Sequence, residues 1–211
     1  MNEVLSNVIV IIILAVLGGG IFLFARRRQA AAEKRLAQTA QEHGWQLETV
    51  REPLVWGMRI TGRGWTLEAL SRSSGAEAGP GSSNVAMSTR WQADRGGSTL
   101  ALGPRRGDAG LAGQFAGPLM RKFTGADMRE VQLKDAALAG KYMLWAENPA
   151  EAGSLFTPGV EAAMLAWKKV PPVVRRDGSG LQMEIAGERL KKPDDLLAFI
   201  RIGEALLDAA A

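Results

Sequence analysis

From Val4 to Phe24 the chain carries no charged residue, and three arginines, Arg26, Arg27 and Arg28, follow almost at once. These 21 residues, at about 1.5 Å each, would cover about 31 Å as a helix, which matches the hydrocarbon core of a bilayer. Ile, Leu, Val and Phe dominate the run, although Ser6, Asn7 and the glycines Gly18, Gly19 and Gly20 weaken it. A cleaved secretory signal needs positive charge ahead of the apolar run and a small-x-small site behind it. Here Met1, Asn2 and Glu3 lead, and the exit is Phe24-Ala25-Arg26. Residues 1–25 therefore read as a retained transmembrane anchor.

The flanks orient that anchor. Cytoplasmic ends of membrane helices carry the Lys/Arg excess. Arg26, Arg27, Arg28, Lys34 and Arg35 all follow the run, and no Lys or Arg precedes it. The expected topology puts the short N-terminus outside and the rest of the chain in the cytoplasm. The five cations are the candidate membrane-surface residues, placed to meet anionic lipid head groups. An absence of cysteine agrees with a reducing compartment. Ala15 and Gly19, four apart, add a weak helix-dimerisation signal.

Beyond residue 25 the chain has 26 basic and 21 acidic side chains, a net charge of +5, of which residues 26–44 hold +3. The remainder is an ordinary solvated surface. The isoelectric point of 9.7 thus reports mostly the basic collar of an anchor, and nucleic acid is not an expected partner.

Three segments follow the anchor. Residues 26–44 read as a juxtamembrane helix with a thin apolar face and a stop at Gly44. Residues 45–211 read as a cytosolic α+β domain. Its strand-rich part, 45–104, alternates at period two: Trp56, Met58 and Ile60; then Trp65, Leu67 and Ala69; then Val85, Met87 and Trp91. The expectation is an antiparallel meander of four or five strands, interrupted by a flexible loop at 71–84. Residues 103–130 are Gly-rich, with Leu111, Phe115, Leu119, Met120 and Phe123 in no clear period. They stay open between a loop tucked onto the core, a lipid or partner contact, and disorder.

The span 140–211 reads as strand, helix, helix, hairpin, helix. Asn148-Pro149 and Thr157-Pro158 are helix starts, with Glu151 placed to close a capping box. Asp177-Gly178-Ser179-Gly180 is a hairpin turn. The final helix lines up Leu196, Phe199, Ile200, Gly203, Leu206 and Leu207, and Gly203 is expected to let it approach the sheet closely. The fold class is thus α+β: an N-terminal transmembrane helix, then a mainly antiparallel sheet with helices packed on one side.

The run "VQLKDAALAGKYMLWAENPAEAGSLFTPGVEAAML", with the hairpin and helix that follow, and "EHGWQLE" near the anchor, carry a resemblance. The chain resembles uncharacterised bacterial single-pass membrane proteins with a cytosolic α+β domain of unknown function, over residues 36–70 and 131–208. The resemblance implies the same architecture and a bacterial inner membrane. Its motifs are helix caps, so it implies no catalytic residue and no cofactor.

Chemistry is sparse. With no Cys and one His, a cysteine nucleophile, a cysteine zinc site and a redox pair are excluded. His43 sits at a helix end with no serine elbow nearby. There is no phosphate-binding Gly-Lys-Ser/Thr loop. Asp94, Asp108, Asp127, Asp135, Glu147 and Glu151 are the carboxylates available for acid–base work. Trp56, Trp65, Trp91 and Trp145 alternate with polar residues, which favours core packing over base stacking. The expected function is a membrane-anchored binding or scaffold protein with an unknown protein partner. The alternatives are a lipid-interacting module using 111–123 with the arginine collar, and an enzyme with a carboxylate-based site.

Overall fold

The period-two alternation in the middle of the chain becomes strands in the computed structural model. The structure describes residues 27, 30–75, 84–105 and 128–211. The predicted span over 4–24 lies outside them, as do most of the loops expected at 71–84 and 103–130. No helix among the described residues is long and apolar enough to cross a membrane.

The chain divides into two units, Met1–His43 and Gly44–Ala211. In the first, residues 30–42 form helix α1, whose buried side chains, Leu36 and Ala40, lie one turn apart. Its end is marked by the His43 amide donating to the Thr39 carbonyl at 3.0 Å. Gly44 follows with φ of +68°, the left-handed conformation that glycine adopts at least cost.

The second unit is α+β with a large antiparallel sheet. Its described strands are β1 (Gln46–Glu52), β2 (Val55–Gly62), β3 (Trp65–Ser73), β4 (Val85–Ala93), β5 (Leu100–Pro104), β6 (Arg129–Val131), β7 (Tyr142–Ala146), β8 (Val173–Asp177) and β9 (Gly180–Ala186). The helices are α2 (Ala136–Lys141), α3 (Pro149–Leu155), α4 (Pro158–Ala166) and α5 (Pro193–Ala209). The strands form one sheet in the order β1-β2-β3-β4-β9-β8-β5-β7-β6.

Register explains the core. Residues paired across an antiparallel sheet point to the same face. Leu47, Ile60, Leu67, Trp91, Met183, Val174, Leu102, Leu144 and Val131 make one row that crosses all nine described strands. Ile60, Leu67, Trp91 and Leu102 are fully buried, whereas Leu47 at the β1 edge is exposed. A one-residue slip of any strand would turn its share of this row outward.

The meander expected over 45–104 is correct for β1 to β4 and wrong for β5. The hairpin β8–β9 inserts between β4 and β5. Leu100, Ala101 and Leu102 are buried in succession, so β5 is covered on both faces and belongs in the sheet interior. A run of five residues cannot show which strands will flank it. Arg129–Val131 and Ala136–Lys141 form elements, β6 and α2, that the sequence reading left without structure.

Local chemistry sets the helix starts. Asp135 Oδ1 accepts from the Leu138 amide at 2.7 Å, Asn148 Oδ1 from Glu151 at 3.3 Å and Thr157 Oγ1 from Val160 at 3.4 Å. Such caps contribute about 1 kcal/mol each. Packing sets the rest. Gly203 of α5 rests directly on the Trp91 indole: a Cβ there would come within 2.4 Å of the ring. The expected close approach of this helix to the sheet is therefore present. Trp91 in turn neighbours Trp65, with ring centres 6.2 Å apart, and Trp65 meets Trp45 edge-on at 5.3 Å.

Candidate functional site

The carboxylates singled out in the sequence do not converge. Asp135 caps α2, and Asp94 lies exposed in the bend after β4. Glu147 is exposed beside the start of α3. Asp108 and Asp127 fall outside the described residues. Glu151 does not close the capping box expected of it. Its carboxylate turns instead to the sheet, where Oε1 accepts from the Ser98 amide at 3.3 Å and from Arg176 Nη2. The Ser98 hydrogen bonds, ahead of the Arg176 charge, hold this carboxyl below its ordinary range.

Arg176 is the buried cation that the sequence reading passed over. It shares a face with Val174, being paired with Leu181 and Leu100, and its side chain is only 4% exposed. Period two from Val174 would have found it. Its guanidinium lies against Gly97, where a Cβ would come within 2.7 Å of Cζ. This pair ties α3 to β8.

On the opposite face of the sheet, Glu48, Arg59, Glu68, Arg90 and Glu184 form a register row of alternating sign across five strands. Arg59 reaches Glu68 at 2.8 Å and Glu48 at 3.2 Å, while Arg90 and Glu184 approach to 3.5 Å. The Glu68 hydrogen bond leads the effects that raise the Arg59 guanidinium above its usual value. Exposed pairs of this kind contribute at most about 1 kcal/mol each. Three glutamates meet only two arginines in this row, and Arg72, 3.7 Å from Glu68, supplies the balancing cation from outside it.

A cleft of about 410 Å³ opens beside β6 and β7, lined by Arg105, Glu130, Gln132, Leu133, Tyr142 and Met143 among others. Arg105 and Glu130 stand 3.9 Å apart in it. Tyr142 is the only tyrosine in the chain, and burial pushes its phenol from 10.0 up to about 12. Tyrosinate absorbance of the folded chain should therefore rise only near pH 12, and near pH 10 in denaturant. Because the folded-state value is the higher one, the stability linked to this group is complete below pH 10 and fades as the pH rises toward 12. A folded-state titration near pH 10 would show the ring to be in water.

The five cations of the basic collar fall in the first unit. Arg27, Lys34 and Arg35 are exposed, and Arg26 and Arg28 lie outside the described residues. Of the tryptophans expected in the core, Trp65, Trp91 and Trp145 are buried. Trp56 is not, at 39% exposure; in its row Met87 is also exposed, at 41%, while Ser71 between them is buried. His43 closes a helix end, as its position suggested. No protein-family model, no curated protein and no solved structure matches the chain.

Proposed function

We propose that this chain is a single-pass protein of the bacterial inner membrane, with its N-terminus outside and its α+β domain on the cytoplasmic side, and that it works by binding as a scaffold or adaptor. In this reading residues 4–24 are the transmembrane helix, and the helices of the domain cover one side of the sheet. The single observation that carries the placement is the charge asymmetry around the apolar run. The binding role is supported by where the ionisable side chains of the described domain go. Asp135 caps a helix, Glu48, Glu68 and Glu184 pair with arginines across strands, and Glu151 holds Arg176, so these carboxylates serve the fold.

A reporter fused to the C-terminus tests the placement. A fluorescent protein is expected to mature there and alkaline phosphatase to stay inactive; active phosphatase would reverse the topology and remove the proposal. Cross-linking in native membranes then identifies what the domain holds.

A further inference from the structure

One end of the second unit collects exposed apolar side chains beside unpaired cations. Pro53-Leu54 makes the tight turn between β1 and β2, closed by the pair Glu52 and Val55. Leu54 sits there at φ of +66°, the one non-glycine residue with positive φ among the described residues, and is 53% exposed. A leucine is strained in that conformation, where Gly or Asn would be comfortable. Solvation does not favour it either. Its carbonyl accepts from the Ser73 amide at 2.7 Å and its side chain lies beside Gly75, yet about half of it stays in solvent, an apolar surface at the turn tip open to a contact outside the domain.

Its surroundings identify that contact. Trp56 is two residues on, paired with Arg51 on one side and through Ser71 with Met87 on the other. Arg189 crosses from the loop after β9 to donate from Nη1 to the Trp56 carbonyl at 3.3 Å. The same loop is held at this end by the Gly187 amide on the Met87 carbonyl, and by the Leu190 amide on Thr89 Oγ1. Lys191 and Lys192 then follow, both exposed. Among the described residues Arg51, Arg189, Lys191 and Lys192 have no ion-pair partner, whereas Lys169 nearby is neutralised by Glu188 and Asp195.

We propose that this end of the domain, with Leu54 and Trp56 at its tip and Arg51, Arg189, Lys191 and Lys192 around them, docks on an anionic lipid surface. Tryptophan settles at the level of lipid head groups, an aliphatic tip reaches the acyl boundary, and unpaired Lys and Arg meet the negative leaflet. An acidic protein would satisfy the cations but gives no reason to strain an exposed leucine. The inference deepens the membrane-anchored reading and rests on it for the identity of the surface. It uses residues separate from the arginine collar and from 111–123.

The full chain reconstituted in vesicles provides the test. Vesicles of phosphatidylcholine alone, or of equal parts phosphatidylcholine and phosphatidylglycerol, carry brominated acyl chains, and Trp56 emission is read as the difference between wild type and Trp56→Phe. Quenching is expected in the anionic vesicles only, and it should disappear in high salt. In the Lys191→Glu/Lys192→Glu variant it should fall by about threefold or more. Leu54→Gly separates docking from folding: it relieves the turn, so thermal stability should hold or rise while quenching drops. Unquenched Trp56 in anionic vesicles overturns the proposal, and so does quenching that is equal in neutral ones. Alkaline carbonate extraction of the same vesicles tests the anchor separately. If the chain washes off, the anchored reading fails, and Trp56 quenching by added anionic vesicles still decides the docking surface.

Discussion

Gly203→Ala is expected to destabilise the folded domain by about 2–3 kcal/mol, although alanine is the better helix former by about 1 kcal/mol. The added methyl group would sit within 2.4 Å of Trp91 Cε2 and 2.5 Å of Cδ2. Trp91 cannot withdraw, because it is fully buried and flanked in its row by Leu67 and Met183. The helix must therefore move off the sheet, loosening Phe199, Ile200 and Leu206 as well. Urea denaturation followed by circular dichroism measures the loss. A second variant checks the cause. Trp91 Nε1 is buried without a hydrogen-bond partner among the described residues, so Trp91→Phe both removes an orphaned donor and frees space. Gly203→Ala should be markedly less harmful in that background, a coupling that a double-mutant cycle reads directly. Strict additivity would mean that the helix is held elsewhere.

Glu151 and Arg176 should give opposite-sized effects although they form one pair. Arg176 is 4% exposed in its side chain and Glu151 38%. Glu151→Ala leaves a buried guanidinium with only the Ser98 carbonyl and hydroxyl, both at 3.4 Å. An abandoned buried charge costs about 3 kcal/mol or more. Arg176→Met instead leaves a carboxylate that water can reach and fills the vacated channel with an apolar stem, so its effect should stay within about 1 kcal/mol. Equal losses for both variants would contradict this assignment. The pH dependence has a definite sign. Because the folded carboxyl lies below its ordinary 4.5, the stabilisation is complete above that pH and disappears as the pH falls through the lower, folded value. Wild type should therefore lose stability in acid more steeply than Glu151→Ala.

These two sites also show what a one-dimensional reading can and cannot reach. Gly203 was legible because a lone glycine in a stripe of Leu, Phe and Ile has few explanations besides close approach. The β1–β4 alternation and the Asn-Pro and Thr-Pro helix starts were legible for a similar reason: each signal is local, within a few residues. Strand order was not local. Nothing in "STLAL" records that β8 will lie on one side of it and β7 on the other, since that depends on residues 40 to 75 positions later. Glu151 misled for the same reason, because its competing partner, Arg176, stands 25 residues away and is met only after the hairpin folds back. Trp56 was placed in the core because period two gives the face of a strand but not where along that face the cover ends. Leu54 offered no signal at all: its interest lies in a backbone angle.

The insertion of β8–β9 between β4 and β5 also bears on synthesis. β4 ends at Ala93, but the strand that pairs its free side closes only at Ala186. At roughly 5–20 residues per second, a ribosome leaves the nascent meander with an open side for about 5–20 seconds. During that interval Trp91, in the same row as Leu67 and Ile60, has neither α5 nor the hairpin against it, and a neighbouring nascent chain could pair there instead. The charges that flank them on the other face, Arg59, Glu68 and Arg90, stay soluble throughout and give the half-built sheet one side that does not stick.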